Sequence, residues 1–352
     1  MNKRLLGLVA CLLVTCANGG QALAAEPAKG PTSVQEMAVY QGDDRQERLV
    51  ALAKKEGELS VYHVYPNLPV LMAAFTSKYG IKVKPWRSGS EGVLQKLTTE
   101  ARGGRFDVDV VQNNAPENEA AHREKLLLEV HSPYVKDLMP QASPAHGEWV
   151  GITIDVFTAA YNTSKFRKEE LPASYQDLLD PKWKGKLGIE VDDQAWFNTL
   201  AEIMGEQQTH KLFADLIATN GLSVRKGHSL LANLVASGEV PLALTVYSWT
   251  PEQLKKKGAP VELLALPPVI AQFSTIAITK RAPHPYAALL FYDFMLSEGQ
   301  QLLANQSYVP TSTKIDTPIT KLSLRFINPE HAIDQQDKWV KTYEEVVTRA
   351  AK

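Results

Sequence analysis

Five places in the sequence gather polar and aromatic side chains where an apolar run gives way to a helical period. Tyr62, His63 and Tyr65 close one run, Ser88-Gly89-Ser90-Glu91 opens a helix, and Asn113 and Asn114 close another run. Glu190, Asp192, Asp193 and Gln194 stand just before Trp196, and Tyr247, Ser248 and Trp249 end the run that begins at Pro241. Strand ends of this kind are where ligands sit in open α/β sheets. A Ser-Gly-Ser turn entering a helix offers free N–H groups to an anion or a ligand dipole. The acids suit a cation, and the aromatic faces suit an organic one. Each group also has a plain structural use. Ser90 fits an N-cap, Asp192 and Asp193 fit the positive end of the following helix, and Trp196 and Trp249 fit a core. The run Pro181-Lys182-Trp183-Lys184-Gly185-Lys186 reads as a solvated turn.

Catalytic machinery does not accompany these residues. No nucleophile elbow, HExxH, paired CxxC or phosphate-cradling glycine loop appears intact. The eight histidines show no HxH or i, i+4 pair, so each reads as a surface or satisfied side chain rather than a zinc ligand. Neighbouring carboxylates are the sole cue to acid–base chemistry, and a non-enzymatic role without a resident cofactor is expected.

The surrounding chain has 352 residues, 44% of them hydrophobic, with 38 Lys and Arg against 39 Asp and Glu. This is the composition of a globular chain long enough for two domains, and it excludes disorder, collagen and coiled coil. Balanced charge gives no global attraction for nucleic acid or anionic lipid. Lys3-Arg4, the apolar stretch Leu5 to Thr15 and the small run Ala22-Leu23-Ala24 have the layout of a signal peptide over residues 1–24. The stretch is too short to span a bilayer. Both cysteines, Cys11 and Cys16, fall inside that leader, so the mature chain is expected to hold together by core burial without a disulfide. Cys11 also permits a lipoprotein signal. The expected address is the periplasm.

Runs rich in Val, Ile and Tyr alternate with helical segments, the pattern of βα units around mainly parallel sheets. Leu59 to Tyr65 reads as a strand, followed by Leu68, Leu71, Met72, Phe75 and Tyr79 on one helix face, ended by Gly80. Ile81 to Trp86 and Val108 to Gln112 read as strands flanking a helix that carries Val93, Leu94, Leu97 and Ala101. The middle of the chain repeats the scheme, with strands at Ile152 to Tyr161, Leu187 to Val191 and Leu242 to Tyr247. Helices are expected near Trp196 to Met204, Leu212 to Ile217 and Leu230 to Val235. Ser274 to Thr279 gives a last strand, followed by a helix with Tyr286, Leu289, Leu290 and Phe294 on one face.

Four stretches in this order resemble the periplasmic substrate-binding proteins of ABC importers, in their ferric-iron-type branch. They are Trp86-Arg87-Ser88-Gly89-Ser90-Glu91, the block from Tyr161-Asn162-Thr163 to Asp180-Pro181-Lys182-Trp183-Lys184-Gly185-Lys186, Ser237-Gly238-Glu239-Val240-Pro241-Leu242-Ala243-Leu244, and Pro283-His284-Pro285 leading to Phe291-Tyr292-Asp293-Phe294-Met295. The resemblance covers about Leu59 to Gln301. It implies a two-lobed α/β fold of type II, each lobe a mostly parallel sheet flanked by helices, and hinge closure on a ligand held between the lobes. Residues 33–150 with 275–352 form the expected first lobe and 151–274 the second, with crossovers near Trp149 to Thr153 and Gln272 to Ile276. The implied partners are a membrane permease and, through it, an ATPase. A monomer is expected, with no nucleic acid and no membrane insertion. A ligand sensor working through a membrane receptor is the rival on the same scaffold.

The expected ligand residues are Tyr62, Tyr65, Ser88, Gly89, Ser90 and Asn114 in the first lobe, with Asp192, Asp193, Gln194, Trp196, His228, Tyr247, Ser248 and Trp249 in the second. In iron-binding members a Tyr-Tyr pair follows the Gly-Glu-Val-Pro strand. Here those positions read Ser248-Trp249, with Tyr247 one place early, and Asn114 stands where the family carries a carboxylate. Asp192-Asp193-Gln194 replaces the small Ser-Gly turn that meets the family's synergistic anion. Three ligands stay open: Fe(III) as transported cargo, with Tyr247 and Asp192 as metal ligands; a small organic cation; or an amphoteric solute. In the last, the anionic end rests on Ser88-Gly89-Ser90 and the amine meets the acids.

Overall fold

The computed structural model describes residues 30–351, so the expected leader and both cysteines lie outside the described residues. Among the described residues, eleven strands form one continuous curled sheet: β1 Glu58–His63, β2 Lys82–Arg87, β3 Val110–Asn114, β4 Trp149–Asn162, β5 Leu187–Glu190, β6 Ser223–Arg225, β7 Leu242–Tyr247, β8 Val261–Leu264, β9 Val269–Ile278, β10 Val309–Pro310 and β11 Leu324–Phe326. The order is β2-β1-β3-β9-β4-β7-β5-β6, with β8 and β10 on β4 and β11 on β9. The first group, β1 to β3, is parallel, as is β5 with β6 and β7. Between the groups, β4 and β9 run antiparallel to each other from Trp149↔Ala277 to Val156↔Ala271. β9 also pairs with β3 and β4 with β7, so these two strands carry the chain from one group to the other. Both are buried along their whole length, which explains their near-continuous apolar sequence.

Local sequence sets the elements that enter the sheet. In the helix Leu68–Tyr79, Leu68, Leu71, Met72, Phe75 and Tyr79 are the buried face, Pro69 lies in the first turn and Gly80 closes it at φ 74°. Phe75 meets Phe291 edge-on at 5.1 Å, joining this helix to Pro285–Leu296 in a core shared with β1. A second core gathers Phe157, Trp183, Trp196, Phe197 and Phe213 around β5 and β7. Full burial of one such side chain contributes about 1.5–3 kcal/mol.

The end of the chain divides between these cores. Helices Pro285–Leu296 and Glu298–Asn305 put Phe291, Phe294 and Leu303 into the first. The family pattern assigns all of 275–352 to the first lobe, but Gln336–Tyr343 puts Trp339 and Tyr343 into the second core. The cause is a complementary aromatic face: Tyr343 sits 5.5 Å from Phe197, and its hydroxyl donates to the Glu190 carbonyl at 2.5 Å. The neighbouring helix Pro329–Asp334 meets the first group, where Arg123 pairs with Asp334 at 2.5 Å.

Candidate functional site

A cleft of about 770 Å³ lies between the two strand groups. One wall is built at the C-terminal ends of β1, β2 and β3. Tyr65 follows β1, Ser88, Gly89 and Ser90 follow β2, and Asn114 ends β3. The helix Ser90–Arg102 begins here, and its first intrahelical bond runs from the Val93 N–H to the Gly89 carbonyl at 2.9 Å. The N–H groups of Ser90, Glu91 and Gly92 therefore precede the ladder and lie at the helix's positive end. Asn114 Nδ2 donates to Ser90 Oγ at 2.7 Å and Asn113 Nδ2 to the Ser90 carbonyl at 3.0 Å, which fixes the turn. Arg87 adds a positive charge to this wall.

The opposite wall is acidic and aromatic. Glu190 ends β5, Asp193 precedes the helix Gln194–Met204, and His228 opens the helix His228–Ser237 after Gly227, whose φ of 101° turns the chain. These three residues offer ligand atoms within 4.8 Å of one another. His228 Nε2 lies 3.3 Å from Asp193 Oδ1, while Asp193 Oδ2 and His228 Nδ1 are buried without a hydrogen-bond partner. Glu190 accepts from the Gly227 N–H at 2.7 Å and from the Asp192 N–H. Burial and then the Asp193 charge push the Glu190 carboxyl up to about 7. Burial disfavours charge on His228, but Asp193, Glu190 and Asp155 outweigh it and raise the imidazole to about 9. Fully ionised, the trio carries one net negative charge.

Aromatic rings line the space beside these acids. Tyr247 lies 3.9 Å from the His228 ring, 5.1 Å from Phe157 and 6.2 Å from Trp249. Its hydroxyl accepts from Gln272 Nε2 at 2.8 Å, and burial, then the Asp155 charge, hold the phenol well above its ordinary value. Glu117, in the first turn after Asn114, also lines the cleft, and burial pushes its carboxyl up to about 7.

Most of the expected residues border this cleft: Tyr65, Ser88, Gly89, Ser90, Asn114, Asp192, Asp193, Gln194, Trp196, His228, Tyr247 and Trp249. Tyr62 does not. It points to the other face of β1, where its hydroxyl donates to Glu100 at 2.9 Å and its ring packs on Trp86 at 5.0 Å. Ser248 is also set apart, because its N–H bonds the Val156 carbonyl at 2.9 Å and the residue is buried behind the wall. Trp196 reaches the cleft only at its edge, being 1% exposed within the second core. The expected metal pair does not assemble: Asp192 turns outward to Lys226 at 3.4 Å, and the acids that meet His228 are Glu190 and Asp193.

Glu117, Phe157, Gln272 and Trp339, which also border the cleft, were not legible as site residues, nor was Asp155, which lies beneath it. Asp155 did leave a signal, an acid in the middle of an apolar strand. With Phe157 two places on, it shares the cleft-facing side of β4.

Residues 70–323 match the profile of the bacterial extracellular solute-binding protein family. Among curated proteins, the Fe(3+)-binding periplasmic protein of Serratia marcescens is 29% identical over 50% of this chain and 52% of its own length. The putative 2-aminoethylphosphonate-binding periplasmic protein of Salmonella typhimurium is 28% identical over 48% of this chain and 50% of its own. The chain thus spans about half the length of these relatives. Among solved structures, iron-bound HitA from Pseudomonas aeruginosa superposes with a TM-score of 0.71 at 23% identity, covering 82% of this chain and 99% of that one. AfuA from Actinobacillus pleuropneumoniae, with fructose-6-phosphate bound, gives 0.73 at 24%, covering 83% and 99%. Strand groups joined by β4 and β9, a cleft between them and these matches agree: the chain belongs to the bacterial extracellular solute-binding protein family and has the two-lobed periplasmic-binding-protein fold.

Proposed function

We propose that this protein is the periplasmic solute receptor of an ABC importer and that its cargo is a small amphoteric solute. Its role is to bind rather than to catalyse. Lobe closure traps the solute, and the closed form presents it to a membrane permease driven by an ATPase. The observation that carries the reading is the contrast between the two walls. Asp193 keeps a buried, unpartnered carboxylate oxygen beside Glu190 and the aromatic rings, whereas the facing wall offers Arg87, two serines and a helix start alongside the acids Glu91 and Glu117. A cationic group fits the first wall through charge and aromatic faces. An anionic group fits the second. The Salmonella relative's name describes a solute of this kind, an amine and a phosphonate on one short chain.

Ferric iron is the second reading, favoured by the Serratia relative and by the Glu190, Asp193 and His228 atoms gathered within 4.8 Å. It requires anionic oxygens, and the cleft phenols are poorly placed to supply them. Tyr65 is already bonded to Asp155 and Thr153, and Tyr247 to Gln272. A thermal-shift panel of amphoteric, purely cationic and purely anionic small solutes, with ferric citrate alongside, separates the readings. Stabilisation confined to amphoteric members is expected; stabilisation by ferric citrate alone overturns the proposal.

A further inference from the structure

Beneath the cleft, Asp155 of β4 is fully buried, with no exposed surface. One of its oxygens, Oδ1, takes two hydrogen bonds from opposite sides. The Tyr65 hydroxyl, from the loop after β1, donates at 2.7 Å, and the Trp249 indole N–H, from the residue that opens the helix Trp249–Lys256 after β7, donates at 3.1 Å. Oδ2 is left without a partner.

The two donors also meet as rings. Tyr65 stacks on Tyr308 at 4.3 Å and 15°, and Trp249 lies 4.8 Å from Tyr308 and 5.8 Å from Tyr65. Trp249 thus leaves the second strand group and buries its ring in the first core. One turn on, Gln253 repeats the crossing: it accepts from Asn67 Nδ2 at 3.1 Å and donates to the Gln306 carbonyl at 2.7 Å.

We propose that Asp155 is the positioning residue that ties the two walls of the cleft together. A single carboxylate oxygen orients Tyr65 and Trp249, both of which border the cleft. Through Trp249 it docks the helix Trp249–Lys256 on the first strand group. Asp155 itself does not line the cleft, so it acts through the two rings and not on the ligand. A carboxylate suits the task because a charged acceptor makes hydrogen bonds roughly twice as strong as a neutral one. The ionisable groups facing it are Tyr65, Tyr308, Tyr247 and His228, and burial pushes its own carboxyl up to about 6 against the opposing effect of the Tyr65 and Trp249 bonds. The inference rests on the lobes moving, which the family fold implies, and not on what the cargo is.

The test uses the ligand-free full-length mature protein, so it is independent of the cargo. The indole N–H signal of Trp249, identified in a ¹H–¹⁵N spectrum by its loss in Trp249→Phe, reports the shared oxygen. Small-angle scattering reports the lobe separation. Asp155→Ala is expected to move the Trp249 signal upfield and to increase the radius of gyration, while Asp155→Asn, which keeps an oxygen acceptor, restores most of both. Tyr65→Phe is expected to shift the Trp249 signal without touching Trp249, because it removes the other donor to the same atom. If Asp155→Ala does not fold, the Trp249 signal in Tyr65→Phe carries the test. An unmoved Trp249 signal in Tyr65→Phe, or a folded Asp155→Ala with an unmoved signal or an unchanged radius, overturns the proposal.

Discussion

At the residue scale, the proposed cargo reading rests on Glu190 and Asp193, buried carboxylates at the end of β5 and the start of the next helix. Replacing either by its amide is expected to weaken cargo capture at least tenfold, about 1.4 kcal/mol, with the fold retained; titration calorimetry checks it, and unchanged affinity returns both to helix-start duty. The same carboxyls make stability depend on pH. Glu190 and Glu117 rise from 4.5 to about 7 and Asp155 from 3.8 to about 6, so the folded ligand-free protein binds more protons than the unfolded chain in that window. Its stability therefore falls as pH rises through it. His228, raised from 6.5 to about 9, adds stability that is full below 6.5 and lost as pH rises through 9. Melting temperature is expected to drop from pH 5 to pH 8, less steeply in Glu190→Gln; equal slopes contradict this. The acids and aromatics at strand ends were legible because strand-end chemistry follows from the α/β pattern. Their pairing was not: Asp192 and Asp193 are adjacent in sequence, yet one faces Lys226 and the other His228.

Secondary elements carry these residues, and those with a strong apolar period were readable. The helix Leu68–Tyr79 matches its expected face residue for residue. The strand expected at Ile152 to Tyr161 is the central part of β4. Short elements with little period, such as β6, β8 and β11, left no signal, since three or four residues stabilised by neighbours from afar carry no periodicity of their own. The C-terminal helix Gln336–Tyr343 was equally opaque in its docking, which depends on a surface formed 141 residues earlier: Asn198 Nδ2 donates to the Trp339 carbonyl at 3.2 Å. Trp339 is 4% exposed and borders the cleft. Trp339→Ala is expected to destabilise the protein by about 3–5 kcal/mol, seen as a lower denaturation midpoint, and to weaken capture as well. A loss of affinity without loss of stability would place Trp339 on the ligand rather than in the core.

On the scale of the whole molecule, the two strand groups are joined by β4, β9, the contacts around Asp155 and Gln253 and the Arg123–Asp334 pair. On the proposed reading, closure depends on cargo touching both walls, since a ligand with equal affinity for the open and closed forms shifts nothing. A solute bearing both charges is expected to shrink the radius of gyration, whereas either half alone binds without doing so; small-angle scattering distinguishes them. The two-lobed plan was readable from four motifs in order. The cargo was not, because family membership leaves the cleft chemistry free to change. Native mass spectrometry of the protein purified from its native cells, with an absorption spectrum, tests the central claim most directly. A colourless protein carrying one small organic mass with both an acidic and a basic group is the predicted result. An iron adduct with a tyrosinate-to-iron colour band would contradict it.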